Sequence, residues 1–332
     1  MTVLTRSRRT LVASAAVFGL ACLPLAACNT NSGGNTADGA SLSVAASFYP
    51  IQYLAQTIGG EHANVTSVTP TNVEPHDYEL SPKDVTGLSE TDLVAYVSGF
   101  QPSLDDALSE LSGPTVLDLA DAVDLKAADD GDHDHHDADH DHHDADDADD
   151  HAEEHGAHDH NHATDPHFWL DPVRMQDAAE VIAASMSQMD PDHAADYEAN
   201  LASLTETLED LDSEYTKGLA KCERNTIVSS HAAFGYLADR YGLSQASVSG
   251  IDPESEPSPA DLAKVKKIVQ ETNTTTIFTE DLVSSETAEA LADETGATTA
   301  VLNPLESAPA SGDYAEAMST NLQELRNALS CE

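Results

Sequence analysis

A chain of 332 residues with 60 acidic and 14 basic side chains carries a formal charge of −46. That balance excludes nucleic acid as a partner and suits a surface surrounded by cations. With the N-terminal apolar run and the low-complexity stretches set aside, about 260 residues remain, enough for two lobes with separate cores.

Arg6, Arg8 and Arg9 precede an apolar run from Leu11 to Ala27 that is interrupted by Pro24. The run is short of the roughly 20 residues that cross hydrocarbon, so residues 1–27 read as an export signal. Its ending, Leu25-Ala26-Ala27-Cys28, resembles a bacterial lipobox, which makes Cys28 the expected site of lipidation. Residues 28–40 are rich in Asn, Thr, Gly and Ser and read as a flexible tether. The expectation is an exported body, lipid-anchored on the outer face of the cytoplasmic membrane, in a periplasm or at a cell surface according to the envelope. Cys22 leaves with the signal, so Cys222 and Cys331 remain as an even pair and are expected to form a disulfide.

Short β-prone runs alternate with helical patterns over a first lobe at 41–189, the pattern of βαβ units on a parallel sheet. Strands are expected at Leu42–Phe48, Val65–Val68, Leu93–Val97 and Thr115–Leu117. Helices are expected at Ile51–Ile58, from Ser81-Pro82, and at Ser103–Leu111. Ligands of such sheets sit at the carboxyl ends of the strands, and His76 falls in the loop after the second.

A loop at 129–164 interrupts this lobe. It holds His133, His135, His136, His140, His142, His143, His151, His155, His158, His160 and His162, with fifteen carboxylates interleaved. No hydrophobic residue larger than alanine occurs within 129–162, so the segment reads as disordered when free of metal. Its imidazoles suit zinc, copper or nickel, in several weak, exchangeable accessory sites. Next comes Asp165-Pro166-His167-Phe168-Trp169-Leu170-Asp171-Pro172, with the only tryptophan of the chain, ahead of a long helical segment.

Residues 190–221 read as a linker helix. Tyr197, Leu201, Leu204, Leu208, Leu211 and Tyr215 repeat at 4-3-4-3-4 spacing, one stripe over about 30 residues from Asp190 to Gly218. Such a helix is expected to join the lobes more stiffly than a loop hinge. The second lobe, 222–332, repeats the first in layout. Its strands are expected at Thr226–Ser229, Ala246–Val248, Thr275–Thr279 and Thr299–Leu302, with helices at Ala232–Tyr241, Asp261–Thr272, Ser285–Glu294 and Tyr314–Leu329. His231, Glu280 and Glu306 lie at its strand ends. The fold class expected is α/β: two lobes, each a mostly parallel sheet flanked by helices, joined by one long rigid helix.

Several motifs in this order resemble the zinc-binding members of the metal-specific solute-binding protein family of ABC importers. They are Ser47-Phe48-Tyr49-Pro50, Glu74-Pro75-His76-Asp77-Tyr78, the His-rich insertion, and His167-Phe168-Trp169-Leu170-Asp171-Pro172. Ser229-Ser230-His231-Ala232-Ala233-Phe234-Gly235-Tyr236 and Leu302-Asn303-Pro304-Leu305-Glu306-Ser307 complete the set. The resemblance implies a cleft site in which His76, His167 and His231 bind the metal. It places the acidic fourth ligand at Glu306, with Glu280 the runner-up and water a third option. Three imidazoles and a carboxylate form a tetrahedral set suited to Zn²⁺, with Mn²⁺ the main competitor.

The function implied is a high-affinity extracytoplasmic zinc receptor, a monomer, that delivers its ion to an ABC permease in the membrane. A manganese-binding homologue and a surface adhesin of the same fold are the alternatives. A metallohydrolase is disfavoured, since no His-Glu-x-x-His helix is present and four protein ligands leave no bound water to activate. Because the ligands must be deprotonated, affinity is expected to fall below about pH 6.5.

Overall fold

Two four-stranded parallel sheets carry the molecule, and their strands are connected alike. In the computed structural model, which describes residues 41–127 and 164–332, the first sheet has the order β2-β1-β3-β4. These strands are β1 (Leu42–Ala46), β2 (Ala63–Ser67), β3 (Leu93–Tyr96) and β4 (Thr115–Asp118). The expected signal, the tether with Cys28 and the eleven histidines of the acidic run lie outside the described residues.

Central strands β1 and β3 bury the consecutive pairs Val44-Ala45 and Leu93-Val94, as strands covered on both faces do. Helices α1 (Tyr49–Gly59), α2 (Pro82–Ser89) and α3 (Pro102–Glu110) flank this sheet. The start of α2 is fixed by a capping box in which Ser81 and Asp84 exchange hydrogen bonds, with Pro82 at the first position.

After β4 the chain forms β5 (Lys126–Ala127), which pairs antiparallel with β6 (Thr164–Asp165). Helix α4 (Pro172–Met189) then leads into α5 (Ala194–Gly218). The stripe predicted a helix from Asp190, but α5 begins four residues later. The Asp190 carboxylate accepts the Tyr197 hydroxyl at 2.8 Å and lies 2.7 Å from His193 Nδ1, which holds a turn ahead of the helix. The 25 residues of α5 extend roughly 37 Å at 1.5 Å per residue. Its buried face (Tyr197, Leu204, Leu208, Leu211, Tyr215) packs on α1 and α4 of the first lobe and on the C-terminal helix.

The second sheet has the order β10-β9-β7-β8, built from β7 (Thr226–Ser229), β8 (Ser244–Ser247), β9 (Thr276–Thr279) and β10 (Thr298–Val301). Both sheets therefore put their first and third strands side by side at the centre, and the chain reverses direction there. The carboxyl end of such a switch point is where ligands bind in open α/β sheets. Helices α6 (Gly235–Tyr241), α7 (Pro259–Glu271), α8 (Glu286–Thr295) and α9 (Tyr314–Leu329) complete the lobe. Helix α6 starts three residues later than its apolar pattern suggests, because residues 230–234 form the turn that carries His231.

Cys222 and Cys331 form a disulfide across a sequence separation of 109 residues, tying the entry of the second lobe to the end of α9. Replacing both by serine is expected to destabilise the protein by up to about 4–5 kcal/mol in the chain-entropy model. Chemical denaturation measures this, and a loss under about 1 kcal/mol would contradict it.

Candidate metal centre

Four loops, two from each lobe, converge at the carboxyl ends of the sheets. The first follows β2. Here Glu74 turns back on its own loop, its two oxygens accepting the backbone N–H groups of His76 at 3.0 Å and Asp77 at 3.2 Å. Gln101 Nε2 donates to the Pro75 carbonyl at 3.1 Å, and the edge of Phe100 packs on the His76 ring with centroids 4.6 Å apart. These contacts fix His76 in a loop that has no regular structure of its own.

The second loop follows β6. Asp165 Oδ1 accepts the backbone N–H of His167 at 3.0 Å and lies 2.8 Å from its Nδ1, so Nε2 is left pointing into the cleft. The third follows β7, where Ser229 Oγ donates to the His231 carbonyl at 2.6 Å. The fourth follows β10. Asn321 binds both sides of Asn303, and Asn303 Oδ1 accepts Leu305 N–H at 2.7 Å. Leu305 takes a left-handed conformation, φ 60°, unusual for a leucine, and this returns Glu306 toward the cleft. Trp169 joins the second loop to the fourth, its indole N–H donating to the Pro304 carbonyl at 2.7 Å.

One ligand atom from each of His76, His167, His231 and Glu306 lies within 4.8 Å of every other, and all four residues are buried. Glu306 Oε1 is 3.4 Å from His76 Nε2, 3.3 Å from His167 Nε2 and 3.4 Å from His231 Nε2. The Nε2 atoms of His167 and His231 are 3.3 Å apart. A tetrahedral zinc with bonds of about 2.0–2.2 Å has ligands about 3.3–3.6 Å from one another, so these separations are edges of that tetrahedron. His76 Nε2 and Glu306 Oε1 are buried and have no hydrogen-bond partner, an arrangement that a shared cation satisfies.

Glu280 stands behind His231 rather than among the four. One of its oxygens lies 2.6 Å from His231 Nδ1, and the other accepts the Ser230 hydroxyl and the His231 backbone N–H. Both oxygens are thus engaged away from Nε2, and the carboxylate holds the ring from outside, the usual arrangement around a metal-ligating histidine. Asp165 does the same for His167. Sequence reasoning attaches no role to Asp165, and its position two residues before a candidate ligand is the available signal.

The electrostatics follow from burial and these partners. Burial pushes the His76 pKa down. Burial also opposes charge on His167, but Asp165 and Glu306 outweigh it and raise the pKa. For His231 burial is again outweighed, by Glu280 and Glu306, and the pKa rises to about 10. Burial opposes charge on Glu306 too, yet the three histidines hold its carboxyl well below the usual carboxylate range. Glu74, half-buried and close to Glu306, is pushed up to about 7, chiefly by burial.

Residues 44–328 match the family model of zinc-uptake complex component A, periplasmic (ZnuA). The high-affinity zinc uptake system protein ZnuA of Bacillus subtilis is 35% identical over 92% of this chain and 94% of its own length. Zinc-binding lipoprotein AdcA of Streptococcus pneumoniae is 33% identical, and the match spans 59% of that longer protein. Among solved structures, the laminin-binding protein Lmb of Streptococcus agalactiae superposes with a TM-score of 0.74 at 31% identity, covering 87% of this chain and all of that one. Its structure is described as a bifunctional protein with adhesin and metal transporting activity.

Proposed function

The chain belongs to the ZnuA family of zinc-uptake proteins, and from that premise we propose that it is the extracytoplasmic receptor of an ABC-type zinc importer. The observation that carries this reading is the convergence of one buried ligand atom from each of His76, His167, His231 and Glu306, drawn from both lobes, with Glu306 Oε1 3.3–3.4 Å from all three Nε2 atoms. Three imidazoles and one carboxylate favour zinc over manganese, which prefers a harder oxygen set. With four protein ligands no bound water is left to attack a substrate, so the site suits carriage rather than turnover. Ligands shared between lobes make closure and capture a single event, and a permease can then distinguish the loaded receptor from the free one.

In this reading the lobes at 41–189 and 222–332 are joined through 190–221, and residues 1–27 direct export. Cys28 carries the lipid and residues 28–40 tether a monomeric body to the membrane, within reach of its permease. The histidines of 129–162 collect ions weakly around the tight site. Surface adhesion is a second reading, favoured by the likeness to Lmb, and it requires no change at the metal centre.

The test is a zinc titration followed by the fluorescence of Trp169, whose ring centroid lies 5.0 Å from that of His167. One tight ion per chain is expected, followed by weaker ones. Deleting residues 129–162 is expected to remove the weaker ions and keep the tight one. Loss of the tight site on that deletion would overturn the assignment.

A further inference from the structure

We propose that Tyr236 is a positioning residue for metal capture: from the second lobe, its hydroxyl fixes Asp165, and Asp165 aims the His167 imidazole into the cleft. This rests on the zinc-receptor reading and explains how a ligand of one lobe comes to depend on the other.

Tyr236 is buried, and its hydroxyl makes two hydrogen bonds, both to the short ladder of β5 and β6. It donates to the Asp165 carbonyl at 2.8 Å and accepts the Lys126 backbone N–H at 2.7 Å. Lys126 and Asp165 face each other in that ladder, so one hydroxyl pins both of its strands. The side chain of Asp165 is constrained as well. Its Oδ1 carries both contacts to His167, while a Cβ placed on Gly235 would lie 2.9 Å from its Oδ2. The second lobe therefore fits Asp165 on two sides, with a hydroxyl on its carbonyl and a bare Cα beside its carboxylate.

The Tyr236 ring is itself held in place. The Arg174 guanidinium lies over it at 4.8 Å from the centroid while donating to the Asp124 carbonyl at 2.8 Å. Lys126 Nζ pairs with Asp239, one helical turn beyond Tyr236 on α6. The Nδ1 and backbone N–H of His167 both go to Asp165, so a shift of Asp165 is a shift of the ligand. When the lobes part, the hydroxyl leaves Asp165 and His167 loses its aim. When they close, the ligand is set at the moment His231 and Glu306 arrive. Capture and release then follow lobe movement without any change to the ligands themselves.

A core tyrosine that only fills space predicts something different, so the test separates the two. Three variants of the purified protein are compared for zinc affinity by chelator competition and for the visible absorption of the Co²⁺-loaded site, which reports ligand geometry. Tyr236→Phe removes the hydroxyl but keeps the ring beneath Arg174. Gly235→Ala displaces the Asp165 carboxylate without removing any hydrogen bond. Tyr241→Phe is the control, because its hydroxyl lies on the same helix but contacts Asp212 at 3.1 Å.

The first two are expected to bind zinc about tenfold more weakly, at the low end for a residue supporting a ligand, with an altered Co²⁺ spectrum. The control is expected to match the unaltered protein in both. Wild-type affinity and spectrum in Tyr236→Phe and Gly235→Ala would overturn the proposal. So would an equal loss in Tyr241→Phe, which would mean general softening of α6. If the unaltered protein bound neither Zn²⁺ nor Co²⁺ tightly, the receptor reading would fall first and this inference with it.

Discussion

Replacing His167 by alanine is expected to weaken tight zinc binding roughly a hundredfold to a thousandfold. Four-ligand zinc sites bind with about 10–16 kcal/mol, or about 2.5–4 kcal/mol per ligand, and each 1.4 kcal/mol is a factor of ten. The His167 ring is fully buried and is contacted from both sides. Its Nδ1 lies 2.8 Å from Asp165 and its Nε2 lies 3.3 Å from Glu306. The substitution also leaves the Asp165 carboxylate without its imidazole partner. The loss shows a second time in heat denaturation. Zinc at a hundred times the dissociation constant stabilises the folded protein by about 2.7 kcal/mol, and a hundredfold weaker site forfeits most of that. Binding within about threefold of the unaltered protein would show that the tight ion sits elsewhere.

Zinc binding at neutral pH is expected to release at least one proton, and affinity is expected to rise about tenfold per pH unit for each proton released. The metal-free His231 pKa stands near 10, so at pH 7 its ring is protonated. An ion at Nε2 must displace that proton. Binding therefore tightens as pH rises toward 10 and weakens steadily below it. The raised pKa also gives the metal-free fold a contribution that is complete below about pH 6.5 and fades as pH climbs through 10. His167, also raised, adds to the slope, whereas His76, lowered by burial, does not at neutral pH. Counting imidazoles alone predicts an onset near pH 6.5. The carboxylates of Glu280 and Glu306 against His231 move the onset upward. Calorimetric titration in two buffers of different ionisation enthalpy counts the protons, and a count of zero at pH 7 would contradict this account.

Patterns that are local in the chain could be read directly. The run Thr226–Ser229 and the helix Tyr314–Leu329 stand where their apolar periods put them, because nothing nearby competes with those periods. Ser81-Pro82 opens a helix because its cap is complete within four residues. Helix α5 starts later than its stripe predicts because the Asp190 carboxylate reaches forward to His193 and Tyr197 and holds a turn that periodicity does not register. Around the metal centre, the three histidines stand out in the chain because each interrupts a distinctive turn. Their supports do not. Tyr236 lies 71 residues from Asp165, and Trp169 lies 135 from Pro304, so only the folded chain makes them partners. The left-handed Leu305 is equally invisible in sequence, since its conformation is imposed by Asn303 and Asn321.

The most direct measurement is anomalous diffraction at the zinc absorption edge from crystals of the zinc-loaded protein. The account predicts one strong peak in the cleft, about 2.0–2.2 Å from the Nε2 atoms of His76, His167 and His231 and from a Glu306 oxygen. A principal peak away from these four side chains, or one bound by the residues of a single lobe, would contradict it.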